Sequence, residues 1–251
     1  MDGAAPSRAE RAARNNALWC DTVCRAHGVP GEFTGSVWLN RHRVPRFHSN
    51  AVTCRERRGD DARREQLQVM LEAGLPPGWG FKDSFRAIDA TGLGFEVVFE
   101  ATWIWREPAP MAAPPGDEAA RWALVRTEAE LAAWEAAWEG DAANASATPQ
   151  PRQFPPALLD DPAVAIVGCS RDGVVVAGGI VNRTGREAGL SNVFGPPDRR
   201  AATWAGCVAA AQECFPGVPL AGYERGEALA AAEAAGFERL QDLRVWWRPS
   251  H

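Results

Sequence analysis

The run Phe95-Glu-Val-Val-Phe-Glu-Ala-Thr-Trp-Ile-Trp105 is β-branched and aromatic almost end to end. It predicts one long strand within Gly94–Arg106, partly buried on both faces. Such a strand lies inside a sheet that other elements cover on both sides. Helical periodicity supplies the cover. Leu18, Trp19, Thr22, Val23 and Ala26 recur at helical spacing over Ala12–His27, and Gly28 follows as a C-cap. Leu67, Met70 and Leu71 mark a second helix over Arg64–Ala73, stopped by Gly74. Short strands are expected around Ser36–Asn40 and Ala51–Glu56, and another over Gly80–Ile88. Residues 1–9 read as a disordered tail.

Two proline- and alanine-rich stretches, Glu107–Glu118 and Gly140–Pro156, have no apolar period and read as linkers. The first separates two expected domains, 10–106 and 119–248. The second domain reads as a strand at Arg121–Arg126 and a helix at Glu128–Glu139. Thr127 and Glu130 form a capping box for that helix. Strands follow at Ala163–Ser170, Val174–Asn182 and Ala188–Phe194, the first two joined by a turn at Arg171-Asp172-Gly173. Next come a helix at Ala201–Glu213, a strand at Leu220–Tyr223, a helix at Gly226–Ala235 and a last strand at Arg239–Arg248. The order is β-α-β-β-β-α-β-α-β.

Composition excludes several classes. At 251 residues, with 46% hydrophobic and 24% charged residues, the chain has the make-up of one or two globular domains. No apolar stretch approaches the ~18 residues of a membrane span, so no membrane partner is expected. Net charge is −5, so no nucleic-acid partner is expected from the chain as a whole. Arg41 to Arg64 is a local exception, with eight Arg against Glu56, Asp60 and Asp61. It reads as a solvated strand edge or loop, or as a contact for phosphates or an acidic partner. The N-terminal stretch has no apolar core of a secretory signal, and the six cysteines read as reduced thiols of a cytoplasmic protein.

Cys20, Cys24 and His27 fall on one face of the first helix, and His42, His48 and Cys54 follow. The spacing lacks the tight C-x2-C turn of zinc fingers and ribbons, so these residues read as core positions and no metal is expected. Lys82, the only lysine, stands in the polar word Lys82-Asp83-Ser84-Phe85. No carbonyl-substrate motif accompanies it to support a Schiff-base role. The eleven tryptophans, Trp103, Trp105, Trp134, Trp138, Trp246 and Trp247 among them, read mainly as core.

The element order of Ala119–Arg248, the Asp172-Gly173 turn between apolar strands, and the passage from Tyr223 through a helix into Gly236-Phe237-Glu238 resemble the GNAT superfamily of N-acyltransferases. The fold this implies is α/β: a GNAT-like mixed, mostly antiparallel sheet flanked by helices. Residues 10–106 are read as a diverged copy, giving two GNAT-like halves. The resemblance further implies transfer of an acyl group, acetyl first, from acyl-coenzyme A to a primary amine of a small molecule.

In that family a strand splays from its neighbour, and a loop of pattern Q/R-x-x-G-x-G/A opens a helix that holds the coenzyme's pyrophosphate on backbone N–H groups. Arg200 to Ala205 gives R-x-x-T-x-A, with Thr203 in the first glycine's place. Two readings stand. One is a modified phosphate loop made by Ala201, Thr203, Ala205, Arg199 and Arg200. The other is an ordinary helix start capped by Asp198. The resemblance implies that backbone N–H groups near Val193 and Phe194 polarise the thioester carbonyl. Asn192 and Ser191 are polar within an apolar strand and mark the cleft. The family's helix tyrosine falls at Ala232, so Tyr223, the only tyrosine, is the candidate acid. Glu224 is the candidate base, ahead of Glu187 and Glu100. The rival readings are a non-catalytic sensor and a transferase fed by a carrier protein or aminoacyl-tRNA through Arg41–Arg64. A homodimer would pair through the last strand at Arg244–Arg248.

Overall fold

The computed structural model describes residues 5–109, 121–140 and 152–250. In chain order the first elements are α1 (Arg8–Ala26), β1 (Glu32–Thr34), β2 (Val37–Leu39), β3 (Ala51–Thr53), α2 (Asp60–Leu71), β4 (Gly80–Asp83) and β5 (Glu96–Arg106). Then come β6 (Arg121–Leu124), α3 (Glu128–Gly140), β7 (Val164–Arg171), β8 (Val174–Thr184) and β9 (Glu187–Phe194). The last are α4 (Arg200–Cys214), β10 (Leu220–Glu224), α5 (Gly226–Ala234) and β11 (Glu238–Trp247). Much of the linker at 107–118, and most of that at 140–156, lies outside the described residues.

The described residues form two compact units. The first holds the chain up to Ile104, the short piece Tyr223–Arg225, and the chain from Arg239 onward. The second holds Trp105–Gly222 and Gly226–Glu238. The units therefore do not follow one cut in the sequence.

In the first unit the strands lie in the order β1-β2-β3-β4-β11-β5. The β3–β4 pair is parallel; β1–β2, β2–β3 and β4–β11 are antiparallel. Alternation sorts the core. Val37, Leu39, Phe81 and Trp246 pack with Leu67 and Met70 of α2, whereas Trp38 and Val52 pack with Ala17, Cys20 and Cys24 of α1. Cys20, Cys24 and Cys54 are thus core residues. Burial pushes the Cys24 and Cys54 thiols up to about 12. Among the described residues no cluster of His, Cys, Asp and Glu is placed to hold a metal ion.

Four expectations need correction here. The tail ends sooner than residue 9, because Ser7 and Glu10 form a capping box that starts α1 at Arg8. β4 stops at Asp83, not Ile88. The Asp83 carboxylate accepts the N–H of Phe85 (3.3 Å) and of Ile88 (2.7 Å), which folds the chain into a turn. The long aromatic strand is buried on both faces over Trp103–Arg106 but not along its first half, where Val97 and Val98 are 46% and 58% exposed. Finally, β11 lies between β4 and β5, so the strand expected to pair with a second copy is not an edge.

In the second unit the order is β10-β9-β8-β7-β6, parallel at β9–β10 and antiparallel elsewhere. Asp172 and Gly173 both adopt positive φ (52° and 78°), the backbone of a tight hairpin turn between β7 and β8. The Thr127–Glu130 capping box forms as expected, with Glu130 N–H donating to Thr127 Oγ1 at 3.2 Å and Thr127 N–H to Glu130 Oε2 at 3.0 Å. Trp134 of α3 donates its indole N–H to the Val167 carbonyl at 2.9 Å. The buried Glu135 carboxylate accepts from the backbone N–H groups of Gln153 and Phe154 and from Arg152, tying that segment to α3. Each unit is thus a mixed, mostly antiparallel sheet with helices packed on it. No helix among the described residues is long and apolar enough to cross a membrane.

Candidate functional site

The second unit carries a break in its sheet. Gly178 faces Phe194 and Ile180 faces Ser191, so Asn192 and Val193 together oppose Gly179 alone. This is a β-bulge. Asn192 takes φ +53°, a left-handed conformation that Asn adopts at lower cost than most residues. Its amide donates to Ser191 Oγ at 3.0 Å, which joins the two polar side chains. Phe194 turns inward and meets Trp134 edge-on, with ring centroids 5.2 Å apart. Val193 remains half-buried.

The neighbouring strand leaves at the same place. β10 pairs with β9 at Leu220–Ala188 and Ala221–Gly189. Among the described residues β9 then runs on to Phe194 with no further pair to β10. After Gly195, a helical turn at Pro197–Arg199 leads into α4. No side chain caps α4; Arg199 occupies the N-cap position, and Asp198, expected as a cap on one reading, makes no cap bond. Backbone N–H groups of the first turn therefore keep their donor capacity, the usual basis of an anion site at a helix start.

The loop residues divide by direction. Ala201 and Ala202 are exposed. Thr203 is 5% exposed, and its hydroxyl faces Gly195, so its side chain is turned into the unit. Arg200 is engaged with Glu227 of α5 at 2.6 Å. Arg199 is exposed, and Ala205 is half-buried.

Tyr223 and Glu224 fall in the first unit, at the end of β10. The Tyr223 ring lies 5.4 Å from that of Trp103, edge-on, and 6.4 Å from that of Phe99. Lys82 Nζ stands 4.3 Å from its centroid. Burial pushes the Glu224 carboxyl up to about 7, against the opposing pull of the Arg225 N–H and guanidinium. Successive strand residues point to opposite faces, so Tyr223 and Glu224 do not form one acid–base pair. Glu100 is committed to Arg86 (3.1 Å) and Arg244 (2.6 Å), which removes it as a base. Glu187 pairs with Thr184 at the β8–β9 turn.

Four of the eight arginines of the basic stretch are ion-paired. Arg41 pairs with Glu32, Arg57 with Glu65, Arg63 with Asp60 and Arg64 with Asp61. Sequence reasoning missed two features: the contact between Lys82 and Tyr223, and the inward turn of Thr203. The polar Ser191-Asn192 pair was the available signal for the bulge.

A mixed sheet with a bulged strand, a neighbour that leaves it, and an uncapped helix beyond is the GNAT fold, and this chain has it. Solved structures are similar over nearly the whole length. A GCN5-related N-acetyltransferase from Kribbella flavida has a TM-score of 0.65 at 18% identity, covering 98% of each chain. One from Sphaerobacter thermophilus has a TM-score of 0.56 at 13% identity, covering 98% of this chain and 96% of that one. A GCN5-related N-acetyltransferase-like protein from Streptococcus suis has a TM-score of 0.51 at 14% identity, covering 96% and 98%. At these identities the likeness is one of fold. Neither a protein-family model nor a curated protein matches the sequence.

Proposed function

We propose that this protein is a cytoplasmic N-acyltransferase that moves an acyl group, acetyl in the simplest case, from acyl-coenzyme A to the primary amine of a small molecule. The observation that carries the reading is the Asn192 bulge in β9 followed by the uncapped start of α4. The bulge takes Asn192 and Val193 out of the regular ladder, just before Phe194 rejoins it, and a backbone N–H freed there can polarise a thioester carbonyl. The start of α4 suits a pyrophosphate. Its first-turn N–H groups are uncapped, Ala201 and Ala202 are small, and the Thr203 side chain is turned away. Arg199 offsets the charge of Asp198.

The amine attacks the thioester carbon directly. A C–N bond forms and the C–S bond breaks. The amine gives up its proton to a base, and the departing thiolate takes one from an acid. Tyr223 and Glu224 point to opposite faces of β10, so one of them serves: Tyr223 as the acid, or Glu224, held near neutrality by burial, as the base. Among the described residues the Tyr223 hydroxyl has no hydrogen-bond partner. The rival donors, a carrier protein or an aminoacyl-tRNA, draw less support from Arg41–Arg64 because four of its eight arginines are already ion-paired.

Calorimetry with coenzyme A and acetyl-coenzyme A tests the reading. Thr203→Glu is a poor control, because the side chain is buried. Ala202→Glu places a carboxylate on the exposed first turn instead. Binding near micromolar, weakened at least about tenfold by Ala202→Glu, is expected. No binding up to millimolar concentration overturns the proposal.

A further inference from the structure

Lys82 is the only lysine in the chain, and it is 6% exposed. Its Nζ donates to Asn16 Oδ1 at 2.5 Å and lies over the Tyr223 ring. Among the described residues it has no carboxylate partner. Asp83, next in sequence, is committed to the N–H groups of Phe85 and Ile88. Asp21 of α1 is committed to Arg25, to the Gly31 N–H and to the Trp38 indole. Glu224 lies in the field of Arg225. Two positions beyond Lys82, Ser84 carries a buried hydroxyl with no hydrogen-bond partner.

A buried ammonium is costly unless it is paired with an opposite charge and hydrogen-bonded. One amide oxygen and one ring face supply polar contact but no negative charge. The surroundings are aromatic: Tyr223 and Phe99 are half-buried rings, Trp103 completes the group, and Arg225 lies over Phe99 at 5.0 Å. The cluster includes Tyr223, which the acyl-transfer reading already uses.

We infer that Lys82 anchors a carboxylate of the acceptor, so that the acceptor is an amine also bearing a carboxylate, its apolar body set against Tyr223 and Phe99. The inference rests on the acyl-transfer reading for the word acceptor; the carboxylate site itself stands on Lys82 and its neighbours. One buried ammonium neutralises one charge, which favours a carboxylate over a phosphate dianion.

The single lysine makes the test direct. Wild-type protein labelled with 15N-lysine gives one side-chain ammonium signal. It is titrated with sodium benzoate, with benzamide as the uncharged match and sodium chloride at equal ionic strength. A saturable shift with benzoate at millimolar concentration, absent with benzamide and chloride, is expected. No benzoate-specific shift up to concentrations on the order of 10 mM overturns the inference, as does a response to inorganic phosphate in its place. Coenzyme A calorimetry on the same sample separates the two readings. Coenzyme binding without a benzoate response sinks the carboxylate anchor alone. A benzoate response without coenzyme binding sinks acyl transfer and leaves an anion site.

Discussion

The Thr203 side chain is set against Gly195: a Cβ built at Gly195 would lie 2.6 Å from the Thr203 hydroxyl and 3.0 Å from the Ala177 methyl. The threonine is therefore accommodated by a glycine elsewhere in the chain. Gly195→Ala should destabilise the protein by about 1–3 kcal/mol through overpacking. Adding Thr203→Ala should recover part of that loss. Denaturant unfolding of the two single variants and the double variant checks it; strict additivity would rule the contact out as the cause.

At Asn192 the backbone is left-handed, and a β-branched side chain is poorly tolerated there. Asn192→Val should cost about 1–3 kcal/mol of stability, whereas Asn192→Gly should fold normally. On the proposed function, Asn192→Val also lowers acyl transfer by displacing the backbone N–H groups of the bulge. Equal melting temperatures for the two variants would contradict the strain.

Glu224 gives a pH dependence with a definite sign. Its carboxyl is held at about 7 in the folded protein, above the ~4.3 of an unfolded glutamate. Between those values the folded state binds the extra proton, so stability falls as pH rises through that window. The loss is at most about 4 kcal/mol and is complete above the folded value. Glu224→Gln should remove this slope and be the more stable protein above neutrality. If Glu224 is also the base, kcat/KM rises through an apparent pKa of about 7 in wild type and not in the variant.

Glu135 offers a purely structural test. Glu135→Ala strands the N–H groups of Gln153 and Phe154. Buried donors left without a partner cost about 1–3 kcal/mol each. A fall in Tm of roughly 5–10 °C is expected by scanning calorimetry. A shift within error would mean that water replaces the carboxylate.

Local chemistry was the legible part of the fold. The Thr127–Glu130 box, the Asp172-Gly173 turn and the core roles of Cys20, Cys24 and Cys54 depend on neighbours in sequence or on apolar spacing, and all appear in the structure. The early end of β4 was hidden because it depends on where one carboxylate, Asp83, folds back. The exposed half of β5 was hidden because Val97 and Val98 look like core in composition. At the candidate site, Ser191 and Asn192 announced a feature by being polar in an apolar run. The direction of Thr203 was not readable, since it is set by Gly195 and Ala177, a glycine and an alanine that carry no pattern of their own. Lys82 drew notice by being alone, but its partners Asn16 and Tyr223 come from far along the chain.

The placement of β11 bears on the order of assembly. Arg86 and Asp242, bonded beside the β4–β11 junction, are 156 positions apart. During synthesis, β4 leaves the ribosome with an open edge that stays unfilled until the intervening unit has been made. That unit, whose strands from β6 to β9 each pair with the next, can close early through short-range contacts. The part of the protein begun first is thus completed last. Removing residues from Arg239 onward would cripple the N-terminal unit and expose the long side of β4, an unpaired edge that invites aggregation.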